Sequence, residues 1–279
     1  MTDSQPSMPA RFELPARAVS GLVLGAAAVG ALVEGGWFFS VFVAIGAIFA
    51  LREWHRLVNN GRSTLEMLPT CLAVIAAVCL IRLDAPFPMS VIAVLLGSFG
   101  AILVSIIRFA RRWSIPWHAF GAVYIGLPVL ALVLLRDAPR GTAIVGGLFV
   151  AVWTTDTGAL LFGRLIGGPK LAPVLSPNKT WAGFLGGTIA AGIGEAIYAG
   201  LIGGSAMRGI ALGILLALAS VCGDLFESWV KRQFRAKNTG SLIPGHGGML
   251  DRIDSVLFAA PACAGLLIFS GLNPFGISA

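Results

Sequence analysis

Charge is what this chain has least of. Asp, Glu, Lys and Arg make up 12% of its 279 residues, about half of the ~25% usual in soluble domains. That argues against a soluble globular enzyme and against a disordered chain, since both need a charged, solvated surface. Cysteine is sparse too. Cys71, Cys79, Cys222 and Cys263 all sit in apolar runs, with no CxxC pair and no metal-ligand spacing. A disulfide scaffold is thereby excluded, and the four read as small buried hydrophobes. Only three histidines are present (His55, His118 and His246), far apart in the chain, which argues against zinc. No GxxxxGK[ST], GxGxxG, HExxH or GxSxG motif occurs, so P-loop, Rossmann, zincin and serine-hydrolase readings lose their main support. There is no strong repeat, no heptad run and no low-complexity tract beyond a polar N-terminal tail.

Apolar residues are abundant: 57% of the chain, with a mean hydropathy of +0.87. Glycine, at 36 residues, suits closely packed membrane helices. The fold class that follows is all-α, a polytopic integral membrane protein. A bilayer core about 30 Å thick takes about 20 helical residues. By that measure the spans fall near 18–33, 36–51, 67–83, 87–107, 117–135, 141–163, 181–203, 208–230 and 253–272, about nine in all. The first two are short and could form a tight hairpin around Glu34-Gly35-Gly36. A removable signal peptide is the weaker reading, because another hydrophobic run follows with no polar cleavage boundary. Nine spans place 16 of the 20 Lys and Arg residues on one side, leaving Arg82, Arg136, Arg140 and Arg208 on the other. The positive-inside rule then sets the N-terminus in the cytoplasm and the C-terminus outside. The net charge of +7 is mostly topology, and no nucleic-acid partner is expected.

Composition divides the chain into a cytoplasmic tail (1–17), scaffold helices (18–150) and a region (151–279) where polar residues intrude on apolar segments. In the scaffold the few acids, among them Glu53 and Glu66, read as loop residues. The GxxxG spacings Gly21/Gly25, Gly183/Gly187 and Gly209/Gly213 are weak signals of helix contact. Acids inside spans are costly and are functional candidates. Asp156 follows an apolar run, and Glu195 lies mid-span with no partner evident in sequence. Asp224, Glu227, Ser228 and Lys231 share one helical face. Asp224 lies more than a turn inside, where a carboxylate needs a cation or strong donor. The Glu227-to-Lys231 spacing also fits an ordinary i,i+4 pair.

The densest segment is 231–254. It carries Lys231, Arg232, Lys237, His246 and Arg252, the flexible Gly245, Gly247 and Gly248, and the acids Asp251 and Asp254 three residues apart. Glycines let backbone N–H groups approach an anion, and carboxylate oxygens with phosphates are the usual setting of Mg²⁺. A second basic loop, from Gly167 to Trp181, offers Ser176, Lys179 and Thr180 at the mouth of a span.

These residues resemble the phosphatidate cytidylyltransferase (CDP-diacylglycerol synthase) family. Its signature stands here as Ser228-Trp229-Val230-Lys231-Arg232, Lys237-Asn238 and Pro244-Gly245-His246-Gly247-Gly248-Met249-Leu250-Asp251-Arg252-Ile253-Asp254, within 228–254. Gly223-Asp224-Leu225-Phe226-Glu227 and Leu175-Ser176-Pro177-Asn178-Lys179-Thr180-Trp181 add to it, and Asp156 with Gly163-Arg164 is a weaker match. One departure is Asn238, where the family has Asp. The resemblance implies transfer of the cytidylyl group of CTP to phosphatidate at a cytoplasm-facing polar cavity in a bacterial inner membrane, giving CDP-diacylglycerol and pyrophosphate for phospholipid biosynthesis. It implies Asp224 and Asp251 as ligands of Mg²⁺, with room for a second metal or a monovalent cation. Asp224, Asp251, Lys231, Lys237 and His246 are then the catalytic candidates. Ser176, Lys179, Thr180, Ser228, Arg232, Gly247, Gly248 and Arg252 are the substrate-binding ones. Membrane lipid is an expected partner, and a homodimer is an open expectation. The rival readings are an enzyme of another lipid phosphate, a lipid kinase, and a transporter of small anions.

Overall fold

The structure is a computed structural model and describes residues 10–62, 65–108, 110–236, 238–240, 247–270 and 275. Among these, nine α-helices follow the apolar runs of the sequence. They are α1 (Ala10–Glu34), α2 (Gly36–Val58), α3 (Met67–Arg82), α4 (Phe87–Ile107), α5 (Ile115–Asp137), α6 (Gly141–Leu165), α7 (Trp181–Leu201), α8 (Ala206–Gln233) and α9 (Leu250–Ser270). Seven, α2 and α4 to α9, are long and apolar enough to cross a membrane. The 16 residues of α3 reach only about 24 Å at ~1.5 Å per residue, short of the ~30 Å core. The apolar part of α1, Val23–Glu34, is shorter still.

Helix ends fall where local chemistry stops them. Thr180 caps α7 by accepting the Gly183 N–H at 3.1 Å, and Ser205 caps α8 through the Arg208 N–H at 3.5 Å. The basic loop 167–180 folds as an antiparallel hairpin of β1 (Lys170–Ala172) and β2 (Ser176–Thr180). This small departure from an all-helical chain ends β2 at the α7 cap.

At the centre stands α5, the most buried of the seven helices long enough to cross a membrane. It touches α2, α3, α4, α6 and α9, while α6, α7, α8 and α9 pack in turn. An aromatic seam joins the two groups. Trp54 of α2 packs at a tilt against Trp117, Phe120 and Tyr124 of α5. Tyr124 in turn meets Phe226 of α8 and Phe258 of α9. The Trp54 indole N–H also donates to the Trp117 carbonyl at 2.8 Å.

Elsewhere backbones meet at glycines, as membrane helices do when apolar burial gives no preference for protein over lipid. A Cβ on Gly183 or Gly187 would lie 2.7 Å from the Ala159 or Thr155 carbonyl of α6. On Gly209 or Gly213 it would lie 2.5 Å from the Glu195 or Ala191 carbonyl of α7. Two of the three GxxxG spacings are therefore helix contacts. Gly25 has nothing within 4 Å.

Three expectations change. Glu53 is buried within α2, and Glu66 is buried next to the start of α3. His55 and His118, 63 residues apart, stack with their Nδ1 atoms 2.8 Å apart. Cys222 is exposed on α8, although Cys71 and Cys263 are buried. An apolar run marks contact with lipid as readily as contact with protein.

Gly213→Leu should lower the thermal midpoint in detergent by roughly 4–8 °C, from overpacking worth about 2 kcal/mol. An unchanged midpoint would mean that α7 and α8 do not meet at Gly213.

Candidate functional site

The site forms where the last turns of α8, the first turns of α9, the β1–β2 hairpin and the last turns of α6 come together. Lys231 stands between two acids. Its ammonium donates to Glu227 Oε2 at 2.6 Å, one turn back on α8, and to Asp251 Oδ1 at 3.1 Å on α9. Ser228 donates to Asp224 Oδ1 at 3.5 Å, and the other Asp224 oxygen pairs with the Lys179 ammonium. The i, i+3, i+4, i+7 face is thus a real ladder, and cations from β2 and from α8 itself compensate its acids. Gly223 lets α8 approach α9 closely, because a Cβ there would meet the Asp254 backbone.

Asp251 organises the start of α9. Its Oδ2 accepts the N–H groups of Gly248 at 3.0 Å and Thr239 at 3.2 Å. A carboxylate in the first helical turn suits unpaired N–H groups and the positive end of the helix dipole. Gly247 adopts φ +84°, a left-handed conformation that favours glycine. Beneath this turn Glu53 of α2 accepts the Met249 N–H at 3.0 Å and the Leu250 N–H at 2.8 Å.

Two adjoining cavities open here. The polar one, about 640 Å³, is walled by Asp156, Asp224, Glu227, Asp251 and Asp254 facing Lys231 and Arg252. The second, about 530 Å³, combines Arg164 and Lys179 with apolar Leu160, Leu171, Phe184 and Val221. Asp156, Asp224 and Ser255 line both. One chamber therefore suits a highly charged ligand with a cation, and its neighbour suits an anion with an apolar body. Among the described residues no three His, Cys, Asp or Glu side chains gather into a metal-holding group.

Of the residues singled out in the sequence, Asp224, Asp251, Lys231, Gly247 and Arg252 line the polar cavity, and Lys179 and Thr180 line the other. The Thr180 hydroxyl is engaged as the α7 cap. Gly248 is buried, with its N–H on Asp251. Ser176, Ser228 and Arg232 line neither cavity. Lys237 and His246 lie outside the described residues. Glu195 is buried in α7 beside Gly147 of α6 and lines neither cavity.

Asp156 and Glu227, also singled out in the sequence, line the polar cavity, and the structure adds Ser255 to its wall. Ser255 had a signal in sequence, since it stands four residues after Asp251 on the same face of α9.

Comparison with known proteins bears on this geometry. The model of the Cytidylyltransferase family matches residues 15–269. The chain belongs to that family. A phosphatidate cytidylyltransferase of Brucella suis biovar 1 is 40% identical over 250 residues, covering 88% of this chain and 90% of that protein. A phosphatidate cytidylyltransferase of Staphylococcus aureus (strain COL) is 33% identical over 248 residues, covering 86% and 93%. The cytidylyltransferase match extends over all nine helices, so the helices before α6 belong to the family fold as much as the cavity does.

Lys179→Gln should cut turnover at least about 100-fold, since it removes a cavity-lining charge and the cation paired with Asp224. Lys179→Arg should keep a measurable fraction. A Lys179→Gln rate near wild type, in a steady-state assay, would remove Lys179 from the site.

Proposed function

We propose that this cytidylyltransferase acts on CTP and phosphatidate, forming CDP-diacylglycerol and pyrophosphate for phospholipid biosynthesis. The relatives' names support the substrates. The observation that carries the reading is the pair of unlike chambers meeting at Asp224. A nucleoside triphosphate with its cation needs the polar one, and a lipid phosphate needs the one that is half apolar. The apolar helices support placement in a bacterial inner membrane. With all nine segments counted as spans, the 16-to-4 split of basic residues supports a cytoplasmic N-terminus, an outside C-terminus and a cavity open to the cytoplasm.

In this reading Arg164 and Lys179 hold the phosphate of phosphatidate, while Leu160, Phe184 and Val221 receive its glyceryl end and the acyl chains stay in lipid. Lys231 and Arg252 hold phosphates of CTP. Lys237 is a further phosphate contact, and His246 orients the substrate. The attacking phosphatidate oxygen is already ionised, so no strong base is needed. Its electron pair forms a bond to the α-phosphorus as the bond from that phosphorus to the β-bridging oxygen breaks. Pyrophosphate leaves with that electron pair. Holding two anions in line and neutralising them supplies most of the acceleration.

The donor set suits Mg²⁺: carboxylate oxygens outnumber cations in the polar cavity. Mg²⁺ also needs only one or two protein carboxylates when phosphates and water complete its shell. Asp224 and Asp251 would hold it, beside Asp254, and it would supply charge neutralisation for the triphosphate.

Detergent-solubilised protein given labelled CTP, phosphatidate and Mg²⁺ should form CDP-diacylglycerol, and EDTA should abolish it. Folded protein that makes no such product from phosphatidate would overturn the reading. Asp251→Asn should reduce turnover at least about 100-fold while the protein still inserts; a rate near wild type would remove Asp251 from the chemistry. Asn238→Asp should be neutral or activating, because both residues suit a turn. A large loss in steady-state rate would show that the loop is built around Asn238.

A further inference from the structure

Glu53 sits on α2, far from the cavity in sequence, and is only 5% exposed. Both of its oxygens are engaged by the signature region. Oε1 accepts the Met249 N–H at 3.0 Å. Oε2 accepts the Leu250 N–H at 2.8 Å and the Thr239 hydroxyl at 3.4 Å. The carboxylate therefore ties together Thr239, on one side of residues 241–246, and the first turn of α9 on the other.

The same two places are tied from above by Asp251, whose Oδ2 takes the Thr239 and Gly248 N–H groups. Two carboxylates thus share one short stretch of backbone. Glu53 holds it from the scaffold, and Asp251 presents its remaining oxygen to Lys231. The glycines complete the fit. A Cβ on Gly240 would lie 2.5 Å from Glu53 Oε1, and one on Gly248 would lie 2.5 Å from Oε2. Gly248, a signature residue, is thereby explained by the space that Glu53 and the Thr239 hydroxyl occupy.

We propose that Glu53 is a positioning residue for the transfer: it clamps Thr239 to the start of α9 and so fixes where Asp251 meets Lys231. The inference rests on the proposed reaction. Glu53 does not line the polar cavity, so its effect is on the placement of groups that do. Misplacement of reacting groups by about 1 Å can cost about 10²-fold in rate.

The test uses the full-length protein in detergent, with two independent readouts. The first is hydrogen–deuterium exchange of peptides covering 238–240 and 247–256. The second is steady-state turnover with CTP and phosphatidate. Glu53→Ala should speed exchange in both peptides and lower kcat about 100-fold, with the CTP KM within about threefold of wild type. Glu53→Gln keeps one acceptor oxygen and should lose only about tenfold. Gly248→Ala, which intrudes on the same carboxylate, should repeat the pattern if Glu53→Ala fails to fold. Tyr198→Phe, which removes a hydrogen bond to Ala143 away from the cavities, should leave both readouts unchanged.

Unchanged exchange in the Glu53 variants would overturn the clamp. Faster exchange with wild-type kcat would overturn the positioning role. If the wild-type protein makes no product while its Glu53 variants still exchange faster, the clamp stands and the reaction assigned to it falls.

Discussion

One ammonium group, that of Lys231, sets the terms for everything around it. It stands in the last turn of α8 on the wall of the polar cavity, and it is met by Glu227 and Asp251 from two different helices. Removing Lys231 would leave both carboxylates without their cation in a largely buried setting. The i,i+4 partner belongs to α8, so the local pair forms whenever the helix does. The Asp251 contact forms only when α9 is docked, and it links site assembly to tertiary packing. Lys179 does the same for Asp224 from the hairpin. Three of the site's acids, Asp224, Glu227 and Asp251, are paired with a cation that a phosphate could also claim.

Such a site needs helices at close and fixed spacing. Apolar burial does not provide that inside a bilayer, because lipid tails compete equally for leucine and valine. Close backbone contact does. Gly183 and Gly187 seat α7 on α6, Gly209 and Gly213 seat α8 on α7, and Gly223 seats α8 on α9. The aromatic seam around Trp54 and Tyr124 then carries this assembly onto α2 and α5. Chambers of unlike polarity can share Asp224 only because these contacts leave little slack.

The helices were largely legible from hydropathy. Each of the nine apolar segments became a helix, and the differences lie at the ends. The run read as 36–51 continues as α2 to Val58, and the one read as 253–272 begins at Leu250. Helical hydrogen bonds do not stop where the apolar stretch does. The ladder of Asp224, Glu227, Ser228 and Lys231 was legible because a helix turns three- and four-residue spacing into one face. The hairpin at 170–180 was not, since a short polar strand has no apolar alternation to betray it.

Glu53 and the His55–His118 pair mark the other limit. Next to Arg52 and Arg56, Glu53 reads as one charge of a polar loop, and nothing nearby in the chain says that Leu250 needs an acceptor. The two histidines are 63 residues apart and stack only because α2 and α5 cross there. Hydropathy, charge asymmetry and the local motif specify a membrane-spanning helical enzyme and the acids and bases of its site, because each is a property of composition or of one helix. Which acid faces which cation, which carboxylate holds the start of α9, and how two cavities come to share Asp224 depend on helices meeting from distant parts of the chain. No local pattern records those meetings.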